Sequence, residues 1–166
     1  MSSTAASIEL LVLDVDGVLT DGRLYFGPRG EALKSFHVRD GHGIKQLRRA
    51  GIAVAVISGR RSAATRSRCR ELGIRHVLEG VEDKLSALEE LCRRLDIVRE
   101  RCACVGDDTP DVPLMRAVGL AFAVADAHPE ARRAADRTTR LAGGHGAVRE
   151  VCDQLLRARR ATRGGR

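Results

Sequence analysis

Two aspartates, Asp14 and Asp16, close the apolar run Leu11-Val12-Leu13, and Gly17 follows them at once. Residues two apart on an ideal strand face the same way. A glycine then lets the backbone turn, which gathers both carboxylates and the Asp16 carbonyl about one point. Further along, Gly106-Asp107-Asp108-Thr109-Pro110-Asp111 sets three more carboxylates in a strand-to-helix loop. Carboxylates clustered without a cation repel one another, and hard oxygen donors suit magnesium, which keeps several waters beside a few carboxylates and a substrate phosphate. Asp14, Asp16 and Asp107 form the expected magnesium ligand set. Such an ion offsets the repulsion between an aspartate nucleophile and an anionic phosphate, so the expected chemistry is phosphoryl transfer. Asp14 would attack phosphorus to give an acylphosphate; Asp16 would protonate the departing oxygen and then activate the hydrolytic water. The plainer reading of the pair is a turn-stabilising strand cap.

Ser58 ends a second apolar run and Lys84 opens a helical pattern. Both are candidates to bind nonbridging phosphate oxygens, with Lys84 also stabilising charge between attacking and leaving groups. Taken singly, Ser58-Gly59 is equally a helix cap, and an isolated lysine usually faces solvent. Arg60 follows the Ser58 loop directly and is the candidate for bidentate pairing with a substrate carboxylate, ahead of Arg61. Asp108 or Asp111 would hold the ligand shell or Lys84 by hydrogen bonds, although Asp108 and Pro110 are also ordinary helix-start signals. His37, His42, His128 and His145 lack coherent zinc spacing and are expected to be structural or hydrogen-bonding.

These groups need strands that end side by side. The pattern predicts strands over residues 8–14, 52–57, 76–78, 102–106 and 120–124, and helices around Ile44 and Leu47, over 62–72, 84–95, 112–118 and 147–160. Leu24-Tyr25-Phe26 and 33–38 read as arms of a hairpin about the turn Gly27-Pro28-Arg29-Gly30. Alternation at this spacing implies an α/β fold, a Rossmann-like parallel sheet sandwiched by helices. In such folds ligands collect beyond the carboxyl ends of the strands. The expected organisation is a polar leader over 1–7, one domain over 8–160 with a hairpin at 22–38, and a basic tail over 161–166. No insertion is large enough for a cap domain, so a small flap or an adjacent subunit must shield the site. Leu24, Phe26, Phe36 and Val38 give the hairpin more apolar surface than a free flap needs, which favours burial between subunits.

A chain of 166 residues with 43% apolar content supports one closed core. Its formal charge of +7 would suit nucleic acid, but the arginines are dispersed among acidic residues and aromatics are few. A small anionic substrate uses positive potential equally well, and no nucleic-acid partner is expected. Neither a membrane-spanning apolar run nor a secretory leader is evident, so the expected place is the cytoplasm, away from any membrane. Five cysteines without a regular framework are expected to be reduced core thiols.

With these residues in hand, the chain resembles the haloacid dehalogenase-like phosphatase superfamily, through Asp14-Val15-Asp16-Gly17-Val18-Leu19-Thr20, Ser58, Lys84 and Gly106-Asp107-Asp108-Thr109-Pro110-Asp111, in the expected order. The resemblance implies Asp14 as nucleophile and Asp16 as general acid/base. It implies magnesium held by Asp14, by the Asp16 backbone carbonyl and by Asp107. Within that superfamily, residues 8–158 resemble the family of 3-deoxy-D-manno-octulosonate 8-phosphate phosphatases, through Asp21-Gly22-Arg23-Leu24-Tyr25-Phe26, Phe36-His37-Val38-Arg39-Asp40-Gly41, Ile57-Ser58-Gly59-Arg60, Ala125-Asp126-Ala127-His128-Pro129 and Gly143-Gly144-His145-Gly146. This closer resemblance implies an acid-sugar phosphate substrate, a homotetramer whose hairpins associate centrally and whose neighbours complete each site, and a role in supplying lipopolysaccharide precursor. Two alternatives stay open: a phosphatase for a nine-carbon acid sugar 9-phosphate, and a noncatalytic phosphosugar-binding protein.

Overall fold

The computed structural model describes residues 3–163. Along the chain run α1 (Ser3–Ser7), β1 (Leu10–Leu13), β2 (Tyr25–Gly27), β3 (Gly30–Leu33), α2 (Val38–Arg49), β4 (Ala53–Ser58), α3 (Ala63–Leu72) and β5 (His76–Glu79). They are followed by α4 (Lys84–Leu95), β6 (Cys102–Gly106), α5 (Val112–Ala117), β7 (Leu120–Ala123), α6 (Pro129–Ala134), β8 (Arg137–Thr138) and α7 (Ala147–Arg163). Six strands form one parallel sheet in the order β5-β4-β1-β6-β7-β8. Every residue of β1, β6 and β7 is buried, as expected of parallel strands covered on both faces. Helices α1, α2, α3 and α7 form one packed group and α4, α5 and α6 another, consistent with right-handed crossovers that change face where the strand order reverses.

That reversal places the site. From β1 the chain adds β4 and β5 on one side, then returns to add β6 on the other. Leu13 pairs with Val56 and Val105, so the residues just past β1, β4 and β6 meet at the topological switch point.

Several local outcomes differ from the sequence expectations. The leader is helical at Ser3–Ser7 and packs on α7, with Ala5 buried in the core. The second hairpin arm is Gly30–Leu33, not 33–38. Beyond it α2 begins at Val38, capped by His37, whose ring nitrogen accepts from the Arg39 amide at 3.2 Å. Capping at His37 and the Asp40 carboxylate in the first turn outweigh the β-like apolar alternation. Phe36 accordingly turns inward against the core, with the Arg68 guanidinium 6.0 Å from its ring centroid. α7 runs on to Arg163, so the start of the expected basic tail is helix; its last three residues lie outside the described residues. α6 and β8 were not expected from the pattern.

Between β1 and α2 the chain adds only the hairpin, and between β5 and β6 only α4 and one 3-10 turn, so no cap domain is present in either place. All five cysteines are buried free thiols. Among the described residues no helix is long and apolar enough to cross a membrane.

Candidate active site

An open cleft of about 510 Å³ lies beyond the carboxyl ends of β1, β4 and β6, and Asp14, Asp16, Ser58, Arg60, Lys84, Asp107, Asp108 and Asp111 all line it. All eight of these expected site residues therefore converge here, whereas Arg61, the lesser candidate for the substrate carboxylate, does not line the cleft. Each arrives for a local reason. Asp14 follows β1, its amide donating to the Val105 carbonyl at 3.2 Å. After Asp16 the chain turns at Gly17, which has φ +92°. A β-carbon there would collide with the Asp107 carboxylate, so the turn needs glycine for its conformation and for the space Asp107 fills. Thr20 braces this turn: its hydroxyl oxygen accepts from the amides of Gly17 at 3.3 Å and Gly22 at 3.2 Å.

Lys84 enters from the first turn of α4. Asp83 caps that helix, accepting from the amides of Leu85 and Ser86 at 3.0 and 3.1 Å. Helical side chains lean toward the N-terminus, which carries the Lys84 ammonium into the cleft. It lies 2.8 Å from Oδ1 of Asp14 and 2.6 Å from Oδ1 of Asp111. The second oxygen of Asp111 accepts from the amides of Asp107 at 2.9 Å and Asp108 at 3.3 Å. Asp111 is thus both the turn's brace and the anchor of Lys84. Asp108 does neither: its carboxylate accepts from the Thr109 amide at 2.7 Å and starts the 3-10 turn. Ser58 is buried, and its hydroxyl oxygen accepts from the Arg60 amide at 3.3 Å.

Carboxylate oxygens of Asp14, Asp107 and Asp111 all lie within 4.8 Å of one another. Burial, then Asp111, push Asp14 from 3.8 up to about 6 against the opposing pull of Lys84. Burial, then Asp14, Asp111 and Asp108, push Asp107 from 3.8 up to about 8. Burial alone would lower Lys84, but Asp14 and Asp111 outweigh it and raise its pKa above the ordinary value. One ammonium therefore leaves this cluster with excess negative charge. A hard divalent cation fits it: Asp111 is committed to Lys84 and two amides, leaving Asp14 and Asp107 as oxygen donors.

Asp16 is arranged differently. Its carboxylate turns toward the hairpin, pairing with the Lys34 ammonium and lying 3.6 Å from Nε of Arg60. As a metal ligand it would act through its backbone carbonyl. Lys34 and Glu31 were missed from the sequence. Their only signal is a charged pair three residues apart beside the hairpin, a spacing common on exposed surfaces.

The Gly143-Gly144 segment, which leads into α7, packs on its own chain. The Gly143 amide donates to Asp126 at 3.0 Å and the Gly144 amide to the Val18 carbonyl at 3.0 Å. His128 caps α6, accepting from the Glu130 amide at 3.2 Å, and like His37 is structural.

Comparison with known proteins agrees with this geometry. The family model described as haloacid dehalogenase-like hydrolase matches residues 77–150. A curated relative, the 3-deoxy-D-manno-octulosonate 8-phosphate phosphatase of Escherichia coli strain K12, is 53% identical over 154 residues, covering 93% of this chain and 82% of the relative. The crystal structure of the Yersinia pestis phosphatase of that name superposes with a TM-score of 0.93 at 50% identity, covering 97% of this chain and 87% of that one. The Moraxella catarrhalis phosphatase, solved in complex with magnesium ion, phosphate ion and a KDO molecule, gives a TM-score of 0.93 at 40% identity, covering 97% and 92%. This chain belongs to the haloacid dehalogenase-like hydrolases and, within them, to the family of 3-deoxy-D-manno-octulosonate 8-phosphate phosphatases.

Proposed function

We propose that this chain is a magnesium-dependent phosphomonoesterase that converts 3-deoxy-D-manno-octulosonate 8-phosphate and water into the free eight-carbon acid sugar and phosphate, for lipopolysaccharide precursor synthesis. The observation that carries this reading is the pairing of Asp14 with Lys84 beside Asp107 at the switch point, in a chain with this degree of identity to enzymes of that activity.

Asp14 forms a bond to phosphorus as the bond to the sugar oxygen breaks. Asp16 gives that oxygen its proton, then takes one from the water that releases phosphate from Asp14. Ser58 and Lys84 bind the nonbridging oxygens, and Arg60, half-exposed at the rim, meets the sugar carboxylate. Asp14, Asp107 and the Asp16 carbonyl would hold magnesium, which would supply positive charge against the anionic phosphate.

Leu24, Tyr25, Phe26, Leu33 and Val38 are all exposed on and beside the hairpin, Phe26 at 65% and Val38 at 77%. An apolar patch of this kind supports association into a homotetramer in which neighbours complete each site. Buried free thiols support residence in the reducing cytoplasm.

The motif residues hold phosphate and metal and do not measure the sugar. The test is a panel of eight- and nine-carbon acid-sugar phosphates, with and without magnesium. Preferential magnesium-dependent release of phosphate from the eight-carbon substrate is expected; equal or better turnover of the nine-carbon compound would overturn the assignment.

A further inference from the structure

The Asp16 carboxylate stands outside the cluster of Asp14, Asp107 and Asp111, although on a regular strand Asp14 and Asp16 would face the same way. Two buried lysines separate them. Lys84 draws Asp14 toward Asp111; Lys34, just past β3, draws Asp16 toward the hairpin. The Lys34 side chain is only 1% exposed, and a buried ammonium is tolerated only where anions surround it. Glu31 provides the second one, with Oε2 at 3.1 Å from Nζ of Lys34. That oxygen has no well-aligned hydrogen bond and is held as an ion pair, with Arg60 also 3.6 Å away. The other Glu31 oxygen accepts from the hydroxyl of Ser62, the N-cap of α3.

The hairpin, the end of β1 and the loop after β4 are therefore tied by one charge network around Asp16. Within it Lys34 acts in a drier environment than the half-exposed Arg60, so its pairing is less screened and fixes the geometry more strongly.

We propose that Lys34, anchored by Glu31, is a positioning residue that keeps the Asp16 carboxylate away from the metal cluster and aimed at the departing oxygen. This rests on the phosphatase reading above. In the first step an Asp14 oxygen bonds to phosphorus. The bond from phosphorus to the leaving oxygen breaks with its electron pair going to that oxygen, which takes the proton that Asp16 carries into this step as the neutral acid, and the Lys34 ammonium pairs with the carboxylate so formed. In the second step water bonds to phosphorus and returns a proton to Asp16 as the Asp14 carboxylate leaves. Without Lys34 the Asp16 carboxylate is free to swing toward the cation, and proton donation to the leaving oxygen is lost.

A proton donor matters most when the leaving group is basic. The test is kcat/KM, at saturating magnesium, for a series of aryl phosphates running from p-nitrophenyl phosphate to phenyl phosphate. None carries a carboxylate, so loss of acid-sugar binding cannot mimic the effect. Lys34→Met is expected to lower the ratio of phenyl to p-nitrophenyl turnover by about 100-fold, the scale of a displaced proton donor. Glu31→Gln, which keeps shape and leaves Lys34 in place, is expected to shift the ratio the same way by less, and gives the reading even if Lys34→Met fails to fold. An equal fall on every substrate, or no fall, overturns the positioning role. Wild-type protein that releases no phosphate from 3-deoxy-D-manno-octulosonate 8-phosphate sinks the phosphatase reading and this inference with it; wild-type hydrolysis of the aryl series with unchanged ratios in both variants sinks the inference alone.

Discussion

Nζ of Lys84 lies 2.6 Å from Oδ1 of Asp111, while Oδ2 of Asp111 accepts from the amides of Asp107 and Asp108. One side chain thereby sets both the ammonium and the loop that carries Asp107. Asp111→Asn keeps the shape but accepts through one atom only, so it must give up either Lys84 or the loop amides. An expected loss of about 100-fold in kcat should accompany about 1–3 kcal/mol of lost stability. Steady-state kinetics and urea melts measure the two, and a variant unchanged in both contradicts the dual role.

Gly17 predicts a second outcome. At φ +92° it holds a conformation that side chains rarely adopt, and a β-carbon would meet the Asp107 carboxylate. Gly17→Ala should displace Asp107 and raise the magnesium concentration needed for half-maximal activity by about tenfold or more, given that weakened ligation commonly costs 10–100-fold. A magnesium titration at fixed substrate decides it; an unchanged midpoint would show that Asp107 does not depend on this space.

The pH dependence of stability follows from the carboxylates. Burial and neighbouring acids raise Asp14 from 3.8 to about 6 and Asp107 from 3.8 to about 8. In that interval the folded state binds more protons than the unfolded state, so these groups contribute stability that is present below about pH 4 and is lost as pH rises through the folded values. Magnesium requires the deprotonated carboxylates, so its stabilising effect grows over the same range. Melting curves from about pH 5 to about pH 8 should show a widening magnesium shift, and Asp107→Asn should flatten the metal-free slope. A magnesium shift that narrows toward the upper end contradicts the assignment of these two residues to the ion.

The exposed hairpin leads to a prediction about assembly. Phe26 is 65% exposed on β2, and on β3 Leu33, which pairs with the neighbouring Tyr25, is exposed as well. Phe26→Glu should convert a tetramer to smaller species in sedimentation velocity, and should lower activity if neighbours complete the sites. Monomeric wild-type protein with full activity would exclude the shared-site arrangement.

The sequence made one half of the site legible and hid the other. Asp14, Ser58 and Asp107 could be found because each ends or follows an apolar strand, and strand ends at a switch point converge by topology. Lys84 could be found because it opens an amphipathic helical pattern. Asp16 was found but not its surroundings. Lys34 and Glu31 sit where a hairpin lysine and glutamate normally face water, and nothing in their spacing reports that the chain folds them back over Asp16. The same local ambiguity misplaced the second hairpin arm. Leu33, Phe36 and Val38 fit an apolar pattern consistent with a strand, yet the cap at His37 and the following helix pull Phe36 into the core. Pro129 after His128 was a readable helix start for α6, and its shortness hid it.

The central claim is that Asp14 carries the phosphoryl group. The most direct measurement is phosphate release from 3-deoxy-D-manno-octulosonate 8-phosphate by wild-type protein and Asp14→Asn, with and without magnesium, with circular dichroism confirming that the variant is folded. Magnesium-dependent release by the wild type and none above background by folded Asp14→Asn is the predicted result. Undiminished release by that variant would contradict the mechanism.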